Sequence, residues 1–128
     1  MNTDLKQHTT GYVLSNACPS REILEHLTGK WSVLVLWCLS DGVQRFSELR
    51  RRIEGVSEKM LAQTLKILEK DGFVVRTVYP EVPPRVEYEL TVLGRQATEK
   101  LSGLVGWIEE CLPAILESKE KSLLAQGA

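Results

Sequence analysis

Lys59, Gln63, Lys66 and Lys70 recur at steps of four, three and four residues. That spacing puts all four on one side of a helix at 3.6 residues per turn. Ammonium groups neutralise phosphates, and a primary amide presents a donor and an acceptor that match the edge of adenine. The chemistry available to this face is binding of a polyanion with some base discrimination. Around it, residues 45–66 carry a net charge of +3 in a chain whose total is −1, which leaves −4 elsewhere. Charge is segregated although the molecule as a whole is not basic, the footprint expected of a phosphate-facing surface. A charged face on a helix is also simply a solvated face, and Arg50-Arg51-Arg52 would not distinguish the two alone.

The elements that must position these residues can be read in order. Residues 1–17 are polar and aperiodic, a flexible arm. Cys18-Pro19-Ser20 opens a helix, since proline suits the first helical position, with Ile23, Leu24 and Leu27 on its apolar side and Gly29 near its end. WSVLVLWCL (31–39) is apolar all round and reads as a central helix stopped by Asp41-Gly42. Gln44-Arg45 is a link or a minimal strand. FSELRRRI (46–53) aligns Phe46, Leu49 and Ile53 on one helical face. After the Glu54-Gly55-Val56 turn, Ser57 sits where an N-cap belongs, and Leu61, Leu65 and Leu68 form the inward stripe of a helix over 58–70. FVVRTVY (73–79) and the alternating RVEYEL (85–90) are strands of a hairpin whose tip holds Pro80, Pro83 and Pro84. Tyr79 and Tyr88 are expected to pair across it. Thr91 is an N-cap candidate for a last helix. Its ridge of Leu93, Ala97, Leu101, Leu104, Ile108, Cys111 and Ile115 runs at three- and four-residue steps. Pro113 is expected to kink or restart that helix, and residues 117–128 to fray as a tail.

Two short helices joined by a glycine-containing turn and followed by a hairpin make a winged helix-turn-helix. The fold class is mainly α (α+β), with a two-stranded β-hairpin wing and a long C-terminal dimerisation helix, in one domain over 18–116. The ridge is longer than one small domain needs, and Gly103 and Gly106 permit close approach of another helix. Within this frame Gln63 is the leading base reader. Lys59 and Lys66 are phosphate contacts. Thr64 and Ser57 lie near the groove-entering end, Ser57 with a competing duty as cap. Met60 touches a thymine methyl or packs inward. Arg45, Ser47 and Arg50 or Arg51 lie where the supporting helix crosses the backbone. One of the three consecutive arginines must point elsewhere, because neighbours are about 100° apart. Arg85 at the wing tip is a phosphate or minor-groove candidate, opposed by Glu81, Glu87 and Glu89.

Cys18 carries a second chemistry. A thiol at a helix N-terminus feels the positive end of the dipole, and Arg21 lies one turn on; both favour thiolate, against Glu22 and Glu25. The alternative is a packed cysteine without reactivity. Cys38 reads as a small buried hydrophobe and Cys111 as part of the ridge. Trp31, Trp37 and Trp107 line either an effector cavity or the core.

Other classes find little support. No zinc spacing, phosphate loop, acid–base pair or nucleophile dyad is visible, so neither cofactor nor catalysis is expected. The start, MNTDLKQHTTGYVLSNA, lacks the apolar stretch of a secretory leader, and the longest apolar run, nine residues broken by Ser32, is short of a bilayer span. An odd count of three cysteines fits a reducing cytoplasm. The remaining competitor is a winged-helix protein-interaction module without specific DNA binding.

Several stretches together, "CP" at Cys18, "GKW" before the apolar helix, "RFSELRRRI", "GVSEKMLAQTLKILEKDGFV", "VPPRVEYELT" and "LG", resemble the HxlR-type winged helix-turn-helix family of bacterial transcription regulators. The resemblance spans Cys18 to about Ile115. It implies a homodimer built by the first and last helices, a near-palindromic double-stranded DNA operator, and a role for the N-terminal cysteine in sensing oxidants or small electrophiles in some members.

Overall fold

The computed structural model describes residues 11–127. Helices α1 (Pro19–Thr28) and α2 (Lys30–Leu39) lead through strand β1 (Gln44–Arg45) into α3 (Phe46–Arg52) and α4 (Glu58–Lys70). The hairpin strands β2 (Val74–Tyr79) and β3 (Arg85–Leu90) follow, then α5 (Val92–Gly127). The sheet is antiparallel in the order β1-β3-β2, so the short strand at 44–45 completes the base of the wing. No helix among the described residues is long and apolar enough to cross a membrane.

The core forms where α2, α3, α4 and the sheet converge. Val35 and Leu36 of α2, Leu49 of α3, and Leu61, Leu65 and Leu68 of α4 are fully or almost fully buried, with Val74, Tyr88 and Leu90 closing the sheet side. α2 is apolar around most of its surface because it lies against α1, α3, α4, α5 and β3. Ile23 and Leu27 of α1 pack on this core, whereas Leu24 is exposed and α1 buries no residue completely. His26 of α1 ties that helix to the end of α4, its Nδ1 lying 2.6 Å from Oδ2 of Asp71.

Both long elements of the second half begin with a hydroxyl cap. Ser57 Oγ accepts from the Met60 N–H at 3.0 Å, and Thr91 Oγ1 accepts from the Gly94 N–H at 3.0 Å. Thr91 also donates to the Gly72 carbonyl at 2.6 Å, which fastens the start of α5 to the end of α4. Gly94 is required there: a Cβ would stand 2.0 Å from the Phe73 carbonyl oxygen.

Of the arm, residues 1–10 lie outside the described residues, and 11–17 form turns without helix or strand. The Arg21 guanidinium donates to the carbonyls of Val13 and Leu14 at 3.2 and 2.7 Å. Three expectations need correction. The two tyrosines do not pair: Tyr79 faces Arg85 and Tyr88 faces Arg76. With this register they fall on opposite faces of the hairpin, since side chains alternate along a strand. Pro113 does not restart the last helix, which is continuous for 36 residues. The proline forfeits one ladder hydrogen bond and crowds the carbonyl four residues back, but both flanks are good helix formers that carry the helix through it. For the same reason residues 117–127 are helical rather than frayed, with Lys121 Nζ 3.4 Å from Glu117 across one turn.

Candidate nucleic-acid interface

α4 separates its two faces cleanly. The leucine stripe is inside, and Lys59, Met60, Gln63, Lys66 and Lys70 are exposed. Among the described residues Lys59, Lys66, Arg45 and Arg51 have no carboxylate within 4.0 Å. Ser47, Arg50 and Arg51 of α3 line a cleft of about 460 Å³ with Val56 and Glu58 at the head of α4. The candidate backbone contacts of the supporting helix are thus gathered beside the end of α4 that would enter a groove. Within that cleft Arg50 Nη1 donates to Glu58 Oε1 at 2.9 Å, so one cation is shared with an internal acid. Arg52 is the arginine that turns away, donating to Asp41 Oδ2 at 2.7 Å and to the Cys38 carbonyl at 3.3 Å.

Thr64 does not belong to this surface. It is buried, and its hydroxyl donates to the Met60 carbonyl at 2.7 Å. One position beyond Gln63 rotates it by about 100° into the leucine side. Ser57 is exposed, yet its oxygen is engaged as the cap of α4. Arg45 is exposed at the head of α3, where its N–H donates to Glu48 Oε1 at 2.9 Å.

The wing is less cationic than its candidate arginine suggested. Arg85 is half-buried, with Glu81 at 3.4 Å, Glu87 at 3.6 Å and its guanidinium 4.1 Å above the centre of the Tyr79 ring. It is held by its own hairpin. Arg76 of β2, absent from the sequence-derived candidates, is the wing's exposed arginine and has no carboxylate within 4.0 Å among the described residues. Weighing Arg85 against three neighbouring glutamates would have pointed to it.

Cys18 sits at the N-cap of α1, half-buried beside a cleft of about 460 Å³. The Ser20 hydroxyl and the Tyr12 N–H each donate to its sulfur at 3.1 Å. These donors, the Ser20 hydroxyl foremost and then the Tyr12 and Ser20 N–H groups, hold the thiol below its ordinary range. The Arg21 guanidinium donates to the carbonyls of Val13 and Leu14 and makes no hydrogen bond to this sulfur. Burial pushes the Cys38 thiol up instead.

Comparison with known proteins gives this geometry a family. Residues 26–115 match the HxlR-like helix-turn-helix family. The chain is 53% identical over 116 residues to the uncharacterised HTH-type transcriptional regulator YtfH of Escherichia coli strain K12, covering 91% of this chain and 92% of that protein. The solved structure of ytfH from Salmonella typhimurium superposes with a TM-score of 0.82 at 55% identity, covering 86% of this chain and 98% of that one. The oxidised form of the redox regulator HypR superposes with a TM-score of 0.67 at 39% identity over 73% of this chain and 96% of that one. Helix order, wing and sequence agree: the chain belongs to the HxlR-like helix-turn-helix family of transcriptional regulators.

Proposed function

We propose that this regulator acts in the cytoplasm as a homodimer on a near-palindromic DNA operator, with α4 in the major groove. The observation that carries this is the free outer face of α4. Lys59, Gln63 and Lys66 stand in solvent while the opposite stripe is sealed in the core. In this reading Gln63 reads a base, Lys59 and Lys66 meet phosphates, and Ser47, Arg50 and Arg51 hold the backbone beside α3. Arg76 joins them from the wing, with Arg85 a supporting stack on Tyr79. The apolar side of α5, including exposed Leu104, Trp107, Ile108, Leu112 and Leu116, supplies the dimer surface together with Leu24 of α1.

Operator binding by point variants tests the groove assignment. Gln63→Ala is expected to cost about 1–3 kcal/mol and to relax preference at one base pair. Lys66→Ala weakens all sequences alike and lowers the salt slope by about one. Parent-like binding by both variants would place the contact elsewhere. Failure to bind any duplex at about 50 mM salt favours an interaction module instead.

Cys18 is the sensing residue of this proposal. Its hydrogen-bonded sulfur, its cleft and the likeness to a redox regulator support that role. Diamide or a quinone should shift operator affinity in the parent and not in Cys18→Ser. An equal shift in both removes Cys18 from the mechanism.

A further inference from the structure

A second cleft, of about 450 Å³, opens between α2 and the end of α3. Its volume lies in the range that encloses small organic ligands. Leu34, Trp37 and Ile53 supply its apolar wall, and Cys38 adds a half-buried sulfur whose thiol, pushed up by burial, stays neutral. Charge is confined to the rim, in Asp41, Arg52 and Glu54.

The rim decides what the cleft can hold. The Arg52 guanidinium is committed to the Asp41 carboxylate at 2.7 Å and to the Cys38 carbonyl at 3.3 Å. Glu54 is exposed, with no cation within 4.0 Å among the described residues. With Arg52 and Asp41 neutralising each other, the rim is left with one negative charge. An organic anion would meet an Arg52 whose charge is already balanced by Asp41, and would then face Glu54. An organic cation meets Glu54 and the outer side of Asp41, and Trp37, 36% exposed, offers an aromatic surface of the kind cations favour.

We propose that the cleft lined by Trp37, Leu34, Ile53 and Glu54 is a binding site for a lipophilic organic cation, an aromatic or aliphatic body carrying an ammonium or phosphonium centre. The site touches Ile53, the C-cap of α3, and Glu54, the first residue of the turn into α4. Its occupant would therefore press on the joint between the two helices of the helix-turn-helix.

Tetraphenylphosphonium and tetraphenylborate have nearly one shape and opposite charge, so titrating the full-length protein with each separates charge from hydrophobicity. The phosphonium should bind saturably at one per chain, with the borate at least about tenfold weaker, the factor expected of one rim charge. Glu54→Gln, an exposed substitution, should weaken the phosphonium about tenfold and narrow the gap to the borate. Trp37→Ala should abolish binding and Trp37→Phe should retain it. Equal affinity for the two ions, or unchanged phosphonium binding by Glu54→Gln, overturns the proposal. The second result would point to the apolar side of α5, which is indifferent to Glu54.

Discussion

α4 and α5 both carry leucine and isoleucine at three- and four-residue spacing, yet only α4 buries its stripe within the chain. Leu61, Leu65 and Leu68 are inside, while α5 buries only Gly94 and Thr98 completely. Leu101 and Ala97 of α5 pack partly on the core, and from Leu104 onward its large apolar side chains are mostly exposed. Over 36 residues α5 extends about 54 Å at 1.5 Å per residue, far beyond the core it starts from. A stripe in a sequence thus says that a face must be covered, and not by what. The stripe of α4 is covered by its own fold; that of α5 stays exposed along most of its length.

The largest expected effect separates these cases. Leu65→Ala should lower unfolding stability by about 2–5 kcal/mol at any protein concentration, because it empties a closed core. Ile108→Ala removes little from a single chain. Its cost should appear as weaker self-association, read by sedimentation, and as a melting temperature that falls on dilution more steeply than the parent's. A melting temperature of the parent that does not move with concentration would break the comparison, since α5 would then be stable uncovered. Next in size is Gly94→Ala, which sets a methyl 2.0 Å from the Phe73 carbonyl oxygen. Urea unfolding should show a loss of about 1–3 kcal/mol or more, marking the first turn of α5 as part of the closed fold.

The same contrast explains what was legible in the sequence. Elements whose partners lie within a few residues were readable: the Ser57 cap, the inward leucines of α4, the proline-opened α1 and the alternation in β3. Relations set by distant residues were not. Pairing of Tyr79 and Tyr88 depended on a register that the proline-rich tip does not reveal. The tie between His26 and Asp71 spans 45 positions. Nearness in sequence sets Arg21 beside Cys18, whereas the fold gives its hydrogen bonds to the carbonyls of Val13 and Leu14. Thr64 lies at the border between the exposed and buried faces of its helix, where one step around the axis decides the side. On the wing, counting charge signs would have favoured Arg76 over Arg85, but only the fold shows Arg85 stacked on Tyr79.

The smallest effects compare the two caps. Among the described residues Ser57 Oγ makes one hydrogen bond, accepted from Met60, whereas Thr91 accepts from Gly94 and donates to Gly72. Ser57→Ala should therefore cost about 1 kcal/mol, the usual value of a helix cap, and Ser57→Gly only a few tenths. Thr91→Ala should cost more than Ser57→Ala, because it also leaves the Gly72 carbonyl without its donor. The glycine variant is the informative one for the nucleic-acid interface. It keeps α4 folded and removes the hydroxyl, so parent-like operator affinity would make Ser57 a cap alone. A loss of affinity unaccompanied by a loss of stability would give it a second duty on the DNA.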